Sequence, residues 1–332
     1  MFTMLAVMNV MASFEGQKRT TSGTADAQTN GSIALYTLQR NIQAAGFDLP
    51  TYNAIFRPLN CTPEPLIAQG AINIGIYPVF ITDGGAGGAS DTITVLGSYN
   101  SALVPGEDIG QATSGVPTRI TGIAGSDVSL TNNYACRVGD IVLTMQSSQI
   151  SPTPACTLKT VTALIGTTQV TLDDTTGISV GDGLSCMRGW TQRAYSVVNN
   201  TLLENATPIA SDIVSLQAQY GISAVAADNQ IANWVDATGA WAAPSVDDRK
   251  RIKAIRLAVI ARSNLLERDP VSQACSSLNT PAPTGVCAWV GTATDPAPNL
   301  ALDNNAAWTR YRYRVFETIM PLRNIITNMN TI

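Results

Sequence analysis

Two periodicities divide this chain. Leu35, Leu38, Ile42 and Ala45 recur at steps of three, four and three, so a helix would carry them on one face. A stripe that narrow suits packing against a sheet or a sister helix. Upstream the polar face disappears. Phe2, Met4, Leu5, Ala6, Val7, Met8, Val10, Met11 and Ala12 would point all around a helix, which belongs in lipid or inside a helical bundle. No proline interrupts the chain before Pro50. The pattern therefore predicts one long helix over residues 1–47. A full bilayer span needs roughly twenty apolar residues, and the stretch Met1 to Phe14 is shorter. With neither a basic flank nor a small-residue cleavage site, it reads as the second half of a membrane segment, a truncated anchor.

Beyond Pro50 the period changes to two. Val214, Leu216, Ala218 and Tyr220 alternate with Ser215, Gln217 and Gln219. Ile255, Leu257, Val259 and Ala261 alternate with Arg256, Ala258, Ile260 and Arg262, and Tyr311, Tyr313 and Val315 with Arg312, Arg314 and Phe316. Such runs predict an antiparallel sheet in the last third, with one face for the helical stripe to cover. Ala71–Ile81 and Thr92–Leu96 read as two further strands around Gly84, Gly85, Gly87 and Gly88. A dinucleotide loop would lead into a helix, but β-branched Thr92, Ile93, Thr94 and Val95 follow, so the tract reads as a flexible hairpin tip. Between these regions Val128-Ser-Leu130 precedes Val138-Gly-Asp140, and Val170-Thr-Leu172 precedes Val180-Gly-Asp182 at the same offset. Two copies are too few for a solenoid. They predict two similar β modules with Gly-Asp turns, an insertion at about 118–190 in a head spanning 48–332.

Chemistry is sparse. The chain has no histidine, a formal charge of −4 and only 13% charged residues among 332. Its basic residues are scattered, which argues against a nucleic-acid site. Gly177-Ile-Ser179-Val-Gly181 fits the nucleophile-elbow pattern, but no imidazole exists to act as its base. A glycosidase needs only two carboxylates. Glu64, Glu107, Asp108, Asp247 and Asp248 all sit in Pro- or Gly-flanked loops expected to face solvent, and none stands out as an acid–nucleophile pair. Asp173 and Asp174 read as a solvated turn, since the ligand spacing of an EF-hand is absent. No catalytic residue, metal or cofactor is expected. Cys61, Cys136, Cys156, Cys186, Cys275 and Cys287 lack zinc-finger spacing and are read as disulfide partners in an oxidising compartment. Cys275 with Cys287 and Cys136 with Cys156 each bracket a loop, which leaves Cys61 with Cys186; other connectivities stay open.

Four phrases carry a family resemblance: LYTLQRNIQAAGF at 35–47, IVSLQAQYGI at 213–222, IKAIRLAVIARS at 252–263 and RYRVFETIMPLRN at 312–324. Together, in this order, they resemble PilW, a minor pilin family of the type IV pilus, from about Ser13 to the C-terminus. The departure lies at the start. The family's glycine cleavage site and early glutamate have no counterpart before Glu15. The resemblance implies an α+β, type IV pilin-like fold, with a long N-terminal helix packed on an antiparallel β-sheet head bearing an extra β-rich insertion. It implies an assembly protein, not an enzyme, that joins other minor pilins to prime the pilus and sits at its tip beside an adhesin, with the major pilin below. Its location would be the inner membrane and periplasm before assembly and the cell exterior afterwards. Met4, Leu5, Val7, Met8 and Met11 would enter the helical bundle. Leu35, Leu38 and Ile42 would pack helix on head, a use equally served by internal core. A minor pseudopilin of type II secretion, a secreted β-rich adhesin and a histidine-free glycosidase are the competing classes. Removing the first thirty residues separates them, since only a pilin should lose assembly.

Overall fold

A computed structural model of the chain describes residues 2–50, 58–70, 72–85, 87–98, 118–146, 154–276, 283–292, 295, 297–302 and 305–329. The helix α1 runs from Phe2 to Gln43. It ends where Gly46 takes a positive φ of 71°, the left-handed position that glycine fills without steric cost. The Gly46 N–H then donates to the Leu96 carbonyl at 2.8 Å, and the Ser98 N–H to the Phe47 carbonyl at 3.1 Å, which fastens the helix end to the head.

The strands follow in chain order. A small ribbon, β1 (Ile67–Gln69) and β2 (Ile72–Ile74), precedes β3 (Val79–Thr82) and β4 (Thr92–Ser98). The expected single strand from Ala71 to Ile81 is thus two, because Gly75 and Pro78 interrupt it. Next come β5 (Thr118–Ala124), β6 (Asp127–Leu130), β7 (Ile141–Met145), β8 (Cys156–Ile165), β9 (Gln169–Leu172) and β10 (Gly183–Met187), closed into a barrel in the order β10-β5-β6-β9-β8-β7. The strands β11 (Trp190–Val198), β12 (Thr201–Glu204) and β13 (Thr207–Ser211) join β4 and β3 in a five-stranded sheet ordered β13-β12-β11-β4-β3. Finally β14 (Ile213–Ile222), β15 (Asn233–Val235), β16 (Ile252–Arg262) and β17 (Tyr313–Pro321) form a four-stranded sheet ordered β15-β14-β16-β17. Two short helices, α2 (Val246–Arg249) and α3 (Arg323–Met329), flank this sheet.

The repeated phrases build one barrel instead of two modules. The strands β6 and β9 pair antiparallel with Val128 opposite Val170, and β7 pairs β10 with Leu143 opposite Ser185. Each pairing maps onto itself when the repeat step is applied, so the copies face each other across an internal two-fold axis. Both Gly-Asp turns are made alike: Asp140 accepts the Arg137 N–H at 2.8 Å, and Asp182 the Ser179 N–H at 2.8 Å. Val128, Leu130, Val142, Val170, Leu172 and Leu184 fill the barrel. Ile141, Leu143, Met145 and Met187 point outward from β7 and β10 into the main core. These two strands are buried on both faces, with Thr144 and Ser185 buried among their apolar residues.

The disulfides are Cys61–Cys156, Cys136–Cys186 and Cys275–Cys287. The expected pairs Cys136 with Cys156 and Cys61 with Cys186 are therefore exchanged. The reason is topological. Cys136 and Cys186 both belong to the barrel interior, whereas Cys156 opens β8 on the outside and faces the segment after Pro58–Asn60.

Candidate functional site

The helix divides into a docked part and an uncovered part. From Gly23 onward one stripe is buried: Gly23, Ala27, Gly31, Ala34, Leu38, Ile42 and Ala45. These positions step by four, four, three, four, four and three, so they form a single face, which lies across β17, β16 and β13. Leu35 flanks the stripe and is partly buried against the same core. The small residues are there because the backbones come close. A Cβ added to Gly31 would lie 2.0 Å from the Phe316 ring, and one on Gly23 would lie 3.1 Å from the Ser263 Cβ. Polar ties hold the docked part in register: Asn264 Nδ2 donates to Asp26 at 3.1 Å, Asn30 Nδ2 to Ser211 Oγ at 3.2 Å, and Asn324 Nδ2 to the Ala45 carbonyl at 2.9 Å.

Toward its start the helix is bare on the described side chains. Met4, Met8, Met11 and Phe14 are 70, 63, 69 and 67% exposed. The side chains of Leu5 and Val7 lie outside the described residues. No helix is long and apolar enough to cross a membrane, among the described residues. Four large apolar side chains left in the open along one helix demand another apolar partner.

The sheet under the helix is secured from its other side by a charged node. Arg256 on β16 lies between two indole rings, 5.1 Å from Trp234 and 4.9 Å from Trp289, a cation–π sandwich. Its guanidinium pairs with Asp295 at 2.9 Å and reaches Glu317 at 3.4 Å. Gln219 bridges to Asp236 at 3.0 Å and to Asp295 at 2.8 Å. Burial, the Asp83 charge and the Asp295 charge hold Asp236 above the usual carboxylate range, against its bond to Gln219. Asp91 is more deeply buried. Burial lifts it to about 7, although it accepts the Gly84 N–H at 2.9 Å and the Ala218 N–H at 2.7 Å.

Among the described residues no side-chain constellation assembles around the other sequence candidates. Ser179 lies in an exposed turn with no helix after it. Asp173 accepts backbone N–H groups of Thr160 and Asp174, while Asp174 pairs with Lys159 and is held below the usual range by that bond first and by Thr176 second. Among the described residues no three carboxylate, thiol or imidazole groups gather to hold a metal. Glu64 departs from the expected solvated loop: it accepts the Ile76 and Tyr77 N–H groups at 3.1 and 3.0 Å and pairs with Arg249 at 3.1 Å. Asp247 is exposed and Asp248 helps cap α2, while Glu107 and Asp108 lie outside the described residues. The glycine tract is not a free tip either. Gly88 packs on Asn299 and its carbonyl accepts the Ala301 N–H at 2.9 Å. A cleft of about 370 Å³ between the helix end and the five-stranded sheet is lined by Tyr36, Arg40, Phe47, Arg193 and Glu204, and Arg193 and Glu204 already pair across it at 3.1 Å.

The sequence reading missed Gly23, Ala27, Gly31 and Ala34. Their signal was present: small residues at helical spacing inside an otherwise polar run, continuing the stripe of Leu38, Ile42 and Ala45.

No curated protein matches the chain significantly. A solved type IV-like pilin from Thermus thermophilus aligns with 90% of this chain and 96% of its own at 10% identity and a TM-score of 0.36, too loose a superposition to bear on function. The family described as Type IV Pilus-assembly protein W, PilW, matches residues 180–324. That span holds β10 to β17 and the start of α3, including the sheet on which the helix is docked and the Arg256 node. Over residues 180–324, the helix-bearing sheet and its surroundings, the chain is thus similar to the PilW family of type IV pilus assembly.

Proposed function

We propose that this protein is a minor pilin that associates with other minor pilins to prime pilus assembly and then sits at the tip of the filament. The observation that carries the reading is the uncovered start of α1, where Met4, Met8, Met11 and Phe14 stand exposed on a helix whose later turns are locked to a PilW-like sheet. Such a helix fits equally among lipid chains or among sister helices, because both supply apolar contact around its circumference. Moving from the first environment to the second costs little hydrophobic free energy, which makes transfer from membrane to filament feasible. The head, from Asp48 onward, stays outside and provides lateral contacts, with the barrel of residues 118–187 as an added outer module. The three disulfides support a location outside the cytoplasm. In this mechanism association is templated and no bond is made or broken.

The test is genetic and structural together. Deleting the gene in the source organism should sharply reduce surface pili, and the intact gene should restore them. A copy with Met4, Met8 and Met11 all changed to Lys should yield a folded head that does not restore piliation. Normal piliation in the deletion strain would overturn the reading.

A further inference from the structure

One edge of the helix-bearing sheet is open. The outermost strand β17 pairs with β16 along its whole length, Ala254 opposite Pro321 through Arg262 opposite Tyr313. Just beyond these ends the Leu322 N–H donates to the Lys253 carbonyl at 2.8 Å, and the Ser263 N–H donates to the Arg312 carbonyl at 2.7 Å. Bonds at both ends of the ladder involve even-numbered residues of this stretch, and the pattern alternates along an antiparallel strand. The backbone groups of Val315, Glu317 and Ile319 therefore point away from β16, into the free edge. Among the described residues none bonds to them. The same three residues turn their side chains to the sheet face opposite α1, where Val315 is 37% and Ile319 50% exposed. Natural sheets blunt such an edge with a short strand, a bulge, a proline or charged side chains, and of these devices β17 has Arg314, Glu317 and a proline at its last position. This one is nine residues long and regular. It ends at Pro321, which has no N–H to offer.

We infer that β17 is a docking edge for an extended segment of another pilus subunit, added as a fifth strand to the sheet. The side-chain pattern states the chemistry of that segment. At the centre of the edge stands Glu317, and with Asp295 it shares the single cation Arg256, so the surface carries an excess negative charge. The fitting strand bears a Lys or Arg opposite Glu317 and apolar residues two positions to either side, against Val315 and Ile319. A second copy of this chain does not meet that demand. An antiparallel β17 pair that sets Val315 against Ile319 also sets the two Glu317 carboxylates opposite each other.

The inference takes its partner class from the pilus reading, and the experiment keeps the two separable. The full chain is titrated with a fluorescent peptide of alternating threonines and apolar residues with a central lysine, and with the same peptide carrying a central glutamate. Two variants probe the edge. Ile319→Pro removes an outward N–H that β16 does not use, and Glu317→Lys reverses the charge. The wild type should bind the lysine peptide at least about tenfold more tightly than the glutamate peptide. Glu317→Lys should reverse that preference, and Ile319→Pro should weaken binding about tenfold while keeping the wild-type circular dichroism spectrum. Absence of binding at millimolar peptide, or binding that neither variant alters, overturns the inference. If the peptides behave as stated but no pilus subunit co-purifies with the chain, the edge stands and the pilus partner is wrong.

Discussion

Replacing Arg256 by Met is the most informative single perturbation of the head. Methionine preserves the unbranched stem between Trp234 and Trp289 and most of the volume, so packing changes little while the charge is lost. The ion pair with Asp295 is largely sheltered, the two side chains being 13 and 14% exposed. Removing one partner of a sheltered pair costs about 3–5 kcal/mol, because the other charge is left without compensation. Two cation–π contacts are lost as well, each worth about 0.5–2 kcal/mol. Burial of the thioether chain returns about 1–2 kcal/mol. The net expectation is a loss of about 5 kcal/mol, within a range of about 2–8, seen as a lower urea midpoint at unchanged slope. Adding Asp295→Asn should recover more than half of that loss, since the stranded anion is then gone. A single variant within about 1 kcal/mol of wild type, or no coupling in the double-variant cycle, would refute the view that Arg256 locks this face of the sheet.

Other expectations follow from the same structure. Gly31→Ala places a methyl against the Phe316 ring and should destabilise the docked helix by about 1–3 kcal/mol, with Phe316→Ala in the same chain relieving part of the added clash; calorimetry of the three variants checks this. Changing both Cys136 and Cys186 to Ser opens a link between residues fifty apart in sequence and should cost about 4 kcal/mol, with faster amide exchange in the barrel than in the four-stranded sheet. Asp91 holds its proton to about pH 7 when folded but titrates near 3.8 when unfolded, so the folded state binds more protons between these values. Its contribution must therefore lower stability as pH rises from about 4 to about 7, and Asp91→Asn should flatten that part of a stability-against-pH curve.

The parts of this fold that could be read beforehand are those that depend on local period. Leu38, Ile42 and Ala45 predicted a helical face, and the alternations in β14, β16 and β17 predicted strands, because one buried face leaves a direct trace in sequence. Val214 shows where the trace breaks. An irregularity between Ile213 and Ser215 turns it to the far side of the sheet, away from Leu216, Ala218 and Tyr220. Barrel closure was not legible, since the pairing of Val128 with Val170 depends on chain segments meeting over long range. The same is true of the disulfides. Spacing favoured Cys136 with Cys156, yet which side of a barrel wall each sulfur occupies is decided only by the closed sheet. Gly23 and Gly31 escaped notice because glycine usually argues against a helix, and only the approach of Ser263 to the first and of Phe316 to the second explains their presence.

The central claim is that the bare start of α1 drives association with pilus subunits. The direct test is co-purification of the chain with the minor pilins of its own genome, comparing the full length with a form lacking Met1 to Asn30. The account predicts a stable complex with the full chain that weakens strongly when those residues are removed, while the head retains its fold by circular dichroism. A complex equally stable without them, or no complex from either form, would contradict it.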